Sequence, residues 1–236
     1  MPATFADPFV QRPPTASRPL LGETVLVVED SRFACEALRL LCQRSGARIR
    51  RADSLRSARR HLQAFRPTVV IVDLGLPDGS GESLIRDLAA ASPRIGAIIG
   101  MSGDDGAAER ALGAGADAFL AKPIATVGEF QETILAVLPD RRPGLRKVSA
   151  ETVTPDRLAV RDDLARIAEA LDTEGEVEGL DYIAQFLLGV AKSAGDAELA
   201  EAAGELAQAD QPASPRVARL SDMIRERLSG YDAFAA

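Results

Sequence analysis

The sequence predicts an α/β domain, a doubly wound five-stranded parallel sheet, followed by a smaller all-α helical domain. Three observations carry this. Five short apolar runs between residues 24 and 123 each precede a stretch of helical period. The segment PDRRPGLRK (139–147) breaks that alternation with two prolines and a glycine. Beyond it no strand pattern returns. The predicted organisation is a flexible lead-in over residues 1–22, the sheet domain over 23–139, a linker over 140–155 and helices over 156–236.

The elements follow in order. Residues 1–22 are rich in Pro, Ser, Thr and Ala without a period. TVLVVE (24–29) is β-branched and wholly apolar up to its end, as a strand covered on both faces must be. SRFACEALRLLCQRSG (31–46) has helical spacing at Phe33, Ala37, Leu38, Leu41 and Cys42 and stops at Gly46. ARIRR (47–51) is a weaker second strand, and a helix opens at Ser54 with Leu55, Ala58, Leu62 and Phe65 on its apolar face. TVVIVDL (68–74) is the third strand, followed by the turn GLPDGSG and a helix from Glu82. IGAIIGMS (95–102) and DAFLAKP (117–123) are the fourth and fifth strands, with helices over 104–114 and 126–138. In the second part, helical stretches are expected at 156–171, 177–193, 196–208 and 215–229, a small bundle or an appendage on the sheet.

Composition narrows the function. The 236 residues carry a formal charge of −7, which argues against a broad basic surface for nucleic acid. Residues 24–140 are close to neutral, with 14 basic against 15 acidic side chains. Residues 145–236 hold 10 against 18, a net of −8. On that ground no DNA partner is expected for the second part, although RLSDMIRERL (219–228) is locally rich in arginine. Cys35 and Cys42 share one apolar stripe and are expected as buried thiols. No apolar run is long enough to span a membrane, and the N-terminus lacks the basic start and apolar core of a secretory signal, so a cytoplasmic location is expected.

In a doubly wound sheet, ligands bind beyond the carboxyl ends of the strands. Glu29 and Asp30 follow the first strand, Asp73 ends the third, Ser102 the fourth, and Lys122 with Pro123 the fifth. Three carboxylates brought together repel one another unless a cation joins them, and Mg²⁺ is the hard cation suited to carboxylate, water and phosphate oxygens. An acyl phosphate on Asp73 would have its charge offset by such a metal and by Lys122, with Ser102 donating a hydrogen bond. Each residue taken singly could instead be a local helix cap or turn residue.

VLVVEDS, IVDLGLPDGSG, IIGMSG and GAGADAFLAKP, in this order and spacing, resemble the receiver domain of two-component response regulators over residues 24–138. The resemblance implies a flavodoxin-like receiver fold and the following roles. Glu29, Asp30, Asp73 and the main-chain carbonyl of Gly75 would hold Mg²⁺. Asp73 would be the phosphoacceptor, Ser102 the switch hydroxyl, Lys122 the phosphate-binding lysine and Phe119 the switch aromatic, and Pro123 would follow a cis peptide. Gly75 and Asp104, two residues beyond the acceptor and the switch hydroxyl, would tune phosphoryl lifetime.

A second resemblance covers QFLLGVAKSAGDAELAEAAGEL (185–206), which is similar to the core helices of histidine phosphotransfer domains. Registered on Gly189 and Gly195, Gln185 takes the place of the histidine and Leu188 that of the lysine. The chain's one histidine, His61, lies in the first domain. The stretch is then a phosphotransfer-like bundle without its chemistry, or an ordinary Ala/Leu helical hairpin. Around His61, Arg44, Arg48, Arg50, Arg51, Arg56, Arg59, Arg60 and Arg66 make a basic patch, either a solvated face or a surface docking an acidic partner, which would be the second domain or a kinase.

The expected function is a phosphorylated response regulator that is not a turnover enzyme. Its phosphodonor would be a sensor histidine kinase or phosphotransfer protein. Its output would be a protein partner reached through the helical domain, which would read the face made by residues 104–138. A homodimer through the face ending in the fifth helix is allowed by the resemblance. A phosphate sink in a branched relay and a non-phosphorylated scaffold are the alternatives.

Overall fold

The computed structural model describes residues 13–104, 106–139, 148–173, 179–208 and 214–235. The first twelve residues of the expected lead-in and residues 140–147 of the expected linker lie outside them.

Five parallel strands form the sheet: β1 (Thr24–Val28), β2 (Arg48–Ala52), β3 (Val69–Asp73), β6 (Ala97–Ser102) and β7 (Ala118–Ala121), in the order β2-β1-β3-β6-β7. Two short strands, β4 (Gly75–Leu76) and β5 (Gly79–Ser80), pair antiparallel where a plain turn was expected. Helices α1 (Arg32–Ser45), α2 (Leu55–Ala64), α3 (Gly81–Ala90), α4 (Ala107–Gly113) and α5 (Val127–Val137) alternate with the main strands.

Successive strand side chains point to opposite faces, so an all-apolar strand must be covered on both. Val25, Val27, Val69, Ile71, Ala97 and Ile99 face a core with Leu38, Leu41, Phe130 and Ile134 of α1 and α5. Leu26, Val28, Val70, Val72 and Ile98 face the opposite core, with Ala58, Leu84, Ile85 and Ala111 of α2, α3 and α4. Cys35 and Cys42 are buried free thiols on α1, each pushed up to about 12 by burial. Ser31, Ser54, Ser80 and Thr126 cap α1, α2, α3 and α5 by accepting a main-chain N–H of the first turn.

Two segments assigned from composition to lead-in and linker are packed. Leu20 is wholly buried in the α1/α5 core and its N–H donates to Ser45 O. Past residue 147, Val153 joins the same core, and Val127 and Gly128 donate to the carbonyls of Glu151 and Ser149. One or two apolar residues in a polar stretch leave no period to detect.

The second part comprises α6 (Arg157–Thr173), α7 (Leu180–Ala194), α8 (Ala197–Ala207) and α9 (Ser214–Ala235) around its own core of Val160, Leu164, Ile167, Leu187, Val190 and Leu220. Phe33 of α1 belongs to that core, so the two parts share apolar contact. The bundle meets the sheet domain mainly through α1 and β4, at the carboxyl end of the sheet. The face over residues 104–138, expected to be read by the bundle, is not its main contact. Among the patch arginines, Arg59 bonds to Asp87 and Arg66 to Arg94 O within the sheet domain, and Arg44 pairs with Glu151 of the following segment at 3.2 Å. No described helix is long and apolar enough to cross a membrane.

Candidate functional site at the carboxyl edge of the sheet

Strand register brings the polar strand-end residues together. Val28 pairs with Val72, so Glu29 stands alongside Asp73. Asp73 pairs with Met101, which sets Ser102 one step beyond it, and Ser102 pairs with Ala121, just before Lys122. The chain leaves β1 toward β2 on one side, while β3 lies on the other, and the crevice opens at this reversal.

Glu29, Asp30 and Asp73 are all buried, and each offers a carboxylate oxygen within 4.8 Å of the others. Lys122 Nζ forms ion pairs with Glu29 Oε2 at 2.6 Å and with Asp73 Oδ1 at 3.1 Å. Burial, first of all, pushes Glu29 up to about 7, with Lys122 pulling it down and Asp73 pushing it further up. Burial followed by the Glu29 charge lifts Asp30 to about 6, and burial also raises Asp73. At Lys122 burial acts to lower the pKa, but the Asp73 and Glu29 carboxylates outweigh it and hold the ammonium charged.

The remaining predicted residues surround this cluster. Ser102 and Gly75 line the cavity in front of Asp73, and Ser102 Oγ accepts the N–H of Asp104 at 3.1 Å. Asp104 itself pairs with Arg110 at 2.8 Å. Phe119 is half-buried beside Gly100, whose missing Cβ would come within 3.5 Å of its ring. The peptide between Lys122 and Pro123 is cis. His61 lies away from the site, edge-on to Phe65.

Five further residues come from the second part. Asp163, buried, accepts Ser31 Oγ–H at 2.8 Å and the N–H groups of Arg32 and Phe33 at 2.9 and 3.0 Å, across the open N-terminus of α1. Arg166 donates to Asp30 Oδ2 at 2.8 Å while its guanidinium lies over the Phe186 ring. The Tyr182 hydroxyl also donates to Asp30 Oδ2. Lys192 Nζ donates to Gly103 O at 2.6 Å, and Gln185 faces Gly75. One sequence signal was available: Asp163 falls on the apolar stripe of Val160, Leu164 and Ile167, where a carboxylate requires a buried partner.

A sequence model of the response regulator receiver domain matches residues 25–134. The chain is 32% identical over 154 residues to the KDP operon transcriptional regulatory protein KdpE of Escherichia coli K12, covering 65% of each chain. It is 35% identical over 101 residues to the virulence transcriptional regulatory protein PhoP of Salmonella typhimurium, covering 42% of this chain and 45% of that one. It therefore spans less than two thirds of either relative. Among solved structures, the receiver domain of a sensor histidine kinase from Pseudomonas aeruginosa PAO1, crystallised with a magnesium ion in its active-site cleft, aligns with a TM-score of 0.45 at 26% identity. That alignment covers 49% of this chain and 97% of the other. A signal receiver domain of a histidine kinase from Syntrophus aciditrophicus gives a TM-score of 0.46 at 25% identity, covering 54% and 100%.

These relatives correct one expectation. Absence of a DNA partner was inferred from the net −8 of residues 145–236, yet KdpE and PhoP are both transcriptional regulators. Net charge sums over all faces of a domain, whereas contact with nucleic acid needs only one basic face. The exclusion does not stand. The register that gathers the carboxylates at one sheet edge agrees with the sequence match, and residues 25–134 of this chain are similar to the response regulator receiver domain.

Proposed function

We propose that this chain is a two-component response regulator that accepts a phosphoryl group on Asp73 and signals through its helical domain. The observation that carries the reading is the buried trio Glu29, Asp30 and Asp73 with Lys122 Nζ 3.1 Å from Asp73 Oδ1. Burying three acids beside one ammonium and the half-exposed Arg166 guanidinium is costly unless the ensemble serves a charged ligand.

The donor set fits Mg²⁺. Its oxygens are hard, and Asp30 Oδ1 is a buried acceptor with no hydrogen-bond partner. Glu29, Asp30 and Asp73, with the carbonyl of Gly75, would hold the ion. When bound, Mg²⁺ supplies positive charge against the carboxylates and the incoming phosphoryl oxygens. Lys122 holds a second positive charge at the acceptor, and Ser102 offers a hydroxyl to the same oxygens. In the transfer, an Asp73 carboxylate oxygen forms a bond to phosphorus as the donor's bond to phosphorus breaks. Phe119, packed over Gly100, repacks as Ser102 turns toward the new charge. Each cycle returns the same protein, so no substrate is turned over, and a cytoplasmic setting suits this role.

The helical domain reads the state of the site at close range, because α6 and α7 bond directly to Asp30 and to the start of α1. The test is incubation of the full chain with Mg²⁺ and phosphoramidate, for the wild type and Asp73→Asn. Phosphate on the wild type alone is expected, detected as a mobility shift on a phosphate-affinity gel. A wild type that gains none sinks the reading. The transcriptional role of the relatives adds a second output to measure, binding of duplex DNA by fluorescence anisotropy before and after phosphorylation.

A further inference from the structure

Between the sheet edge and the helical bundle lies a cavity of about 540 Å³. Asp73, Gly75, Ser102 and Lys122 bound it on one side, Tyr182 and Gln185 on the other. It has room for a phosphoryl group and water, and its walls come from both domains.

Gly75 stands two residues beyond Asp73 and brings no side chain to this cavity. Its backbone φ is not in the left-handed region, so the local fold does not require glycine there. The atom nearest the point where its Cβ would stand is Gln185 Oε1, 3.7 Å away. An amide from α7 therefore faces the space that a side chain at position 75 would fill. Gln185 lines the cavity as an exposed residue, and its side chain makes no hydrogen bond to any described residue.

α7 is fastened on either side of this residue. Tyr182, Gln185, Gly189 and Lys192 are spaced three and four apart and lie on one helix face. The Tyr182 hydroxyl donates to Asp30, and Lys192 Nζ donates to Gly103 O at 2.6 Å. A Cβ on Gly103 would stand in ordinary contact with Gly189 Cα, 3.6 Å away, so α7 lies directly against the loop that follows β6.

We propose that Gln185 orients the water that hydrolyses the acyl phosphate on Asp73, so that the helical domain sets the lifetime of the phosphorylated state. The inference rests on Asp73 being the phosphorylated residue. In the step, water oxygen forms a bond to phosphorus while the bond from phosphorus to the Asp73 carboxylate oxygen breaks. The electron pair returns to that carboxylate, and the water proton leaves on the released dihydrogen phosphate. Gln185 Oε1 accepts a hydrogen bond from the water, and Nε2 has a donor for a phosphoryl oxygen. The amide itself takes no proton, so its contribution is position rather than base strength. A carboxylate at that place would repel the phosphoryl group, whereas a neutral amide does not.

The experiment labels the full chain with phosphoramidate and Mg²⁺, removes the donor and follows loss of the phosphorylated band. Gln185→Ala and the bulk-retaining Gln185→Leu are both expected to lengthen the half-life about tenfold, the effect of one hydrogen bond lost from a transition state. Gly75→Asn combined with Gln185→Ala moves an amide to the sheet side of the same space and is expected to restore rapid decay, which a merely structural role for Gln185 would not allow. Thermal unfolding of each variant reports whether docking persists. Labelled wild type and Gln185→Ala with equal half-lives would overturn the inference while leaving the Asp73 reading intact. Lengthening that Gly75→Asn fails to reverse would overturn it in favour of a docking role. A wild type that never labels removes the Asp73 reading and this inference together.

Discussion

Asp30 and Asp163 are both buried acids at the junction of the two domains, and they are satisfied in opposite ways. Asp163 is filled by neutral donors: a hydroxyl and two main-chain N–H groups at 2.8 to 3.0 Å. Asp30 sits among other carboxylates, with Arg166 and Tyr182 on Oδ2 and nothing on Oδ1, and is lifted to about 6. The first arrangement is complete and serves as a fastening. The second is incomplete and lowers its energy further only by gaining a cation. Structural and functional acids are thus told apart by whether the protein has finished satisfying them.

The largest effect should come from removing the cation of the unfinished cluster. Lys122→Met leaves Glu29 and Asp73 buried without their ammonium, and should cost about 3 kcal/mol by denaturant unfolding without metal, as expected for a broken buried pair. The loss should shrink in millimolar Mg²⁺; an equal loss with and without Mg²⁺ would break the comparison. Next, Asp163→Ala orphans three donors at the start of α1 and should cost about 2 kcal/mol. That cost should be insensitive to Mg²⁺, since Asp163 lies outside the cluster.

The pH dependence sharpens the contrast. Glu29 and Asp30 have folded pKa values raised to about 7 and about 6, from reference values of 4.5 and 3.8. Between the reference and the folded values the native state holds more protons than the unfolded one. These acids therefore favour folding at low pH and oppose it as pH rises through this window. Metal-free unfolding across pH 5 to 8 should show this share of the stability falling as pH rises toward 7, and Mg²⁺ should flatten the slope. Smallest, Arg166→Met should tighten Mg²⁺ binding a few-fold by removing one of the two donors on Asp30 Oδ2, with about 1 kcal/mol of stability lost, since the Arg166 side of the pair is half-exposed. Calorimetric titration of Mg²⁺ would read it, and weaker binding would show that Arg166 instead positions Asp30 for the ion.

The parts legible in the sequence were those encoded by short-range pattern. Val69 to Val72 could only be a strand covered on both faces, and the acids after β1 and β3 had to reach the same sheet edge once the strands were parallel. Ser102 and Lys122 followed from the same reasoning at β6 and β7, whereas Phe119, inside β7, was reached only through the resemblance to receiver domains. Leu20 escaped because a leucine pair, Leu20 and Leu21, after a stretch of prolines and serines has no period. Arg166, Tyr182 and Lys192 escaped because each is an ordinary polar residue on an amphipathic helix, while Gln185 was singled out only by its register with the phosphotransfer histidine and not as a neighbour of Gly75.

By itself, then, the sequence determined the five-stranded sheet, its two apolar cores and the acidic edge, because alternation, helical period and strand-end position are local properties of the chain. Only the tertiary structure decided that α6 and α7 lie across that edge, fastened by Asp163 to α1 and by Arg166 and Tyr182 to Asp30. Docking depends on the match of two finished surfaces, and residues some 130 positions apart carry no pattern that announces their pairing. The charge of the second domain could not predict it either. Although the domain is acidic as a whole, the guanidinium of Arg166 is what it presents to Asp30.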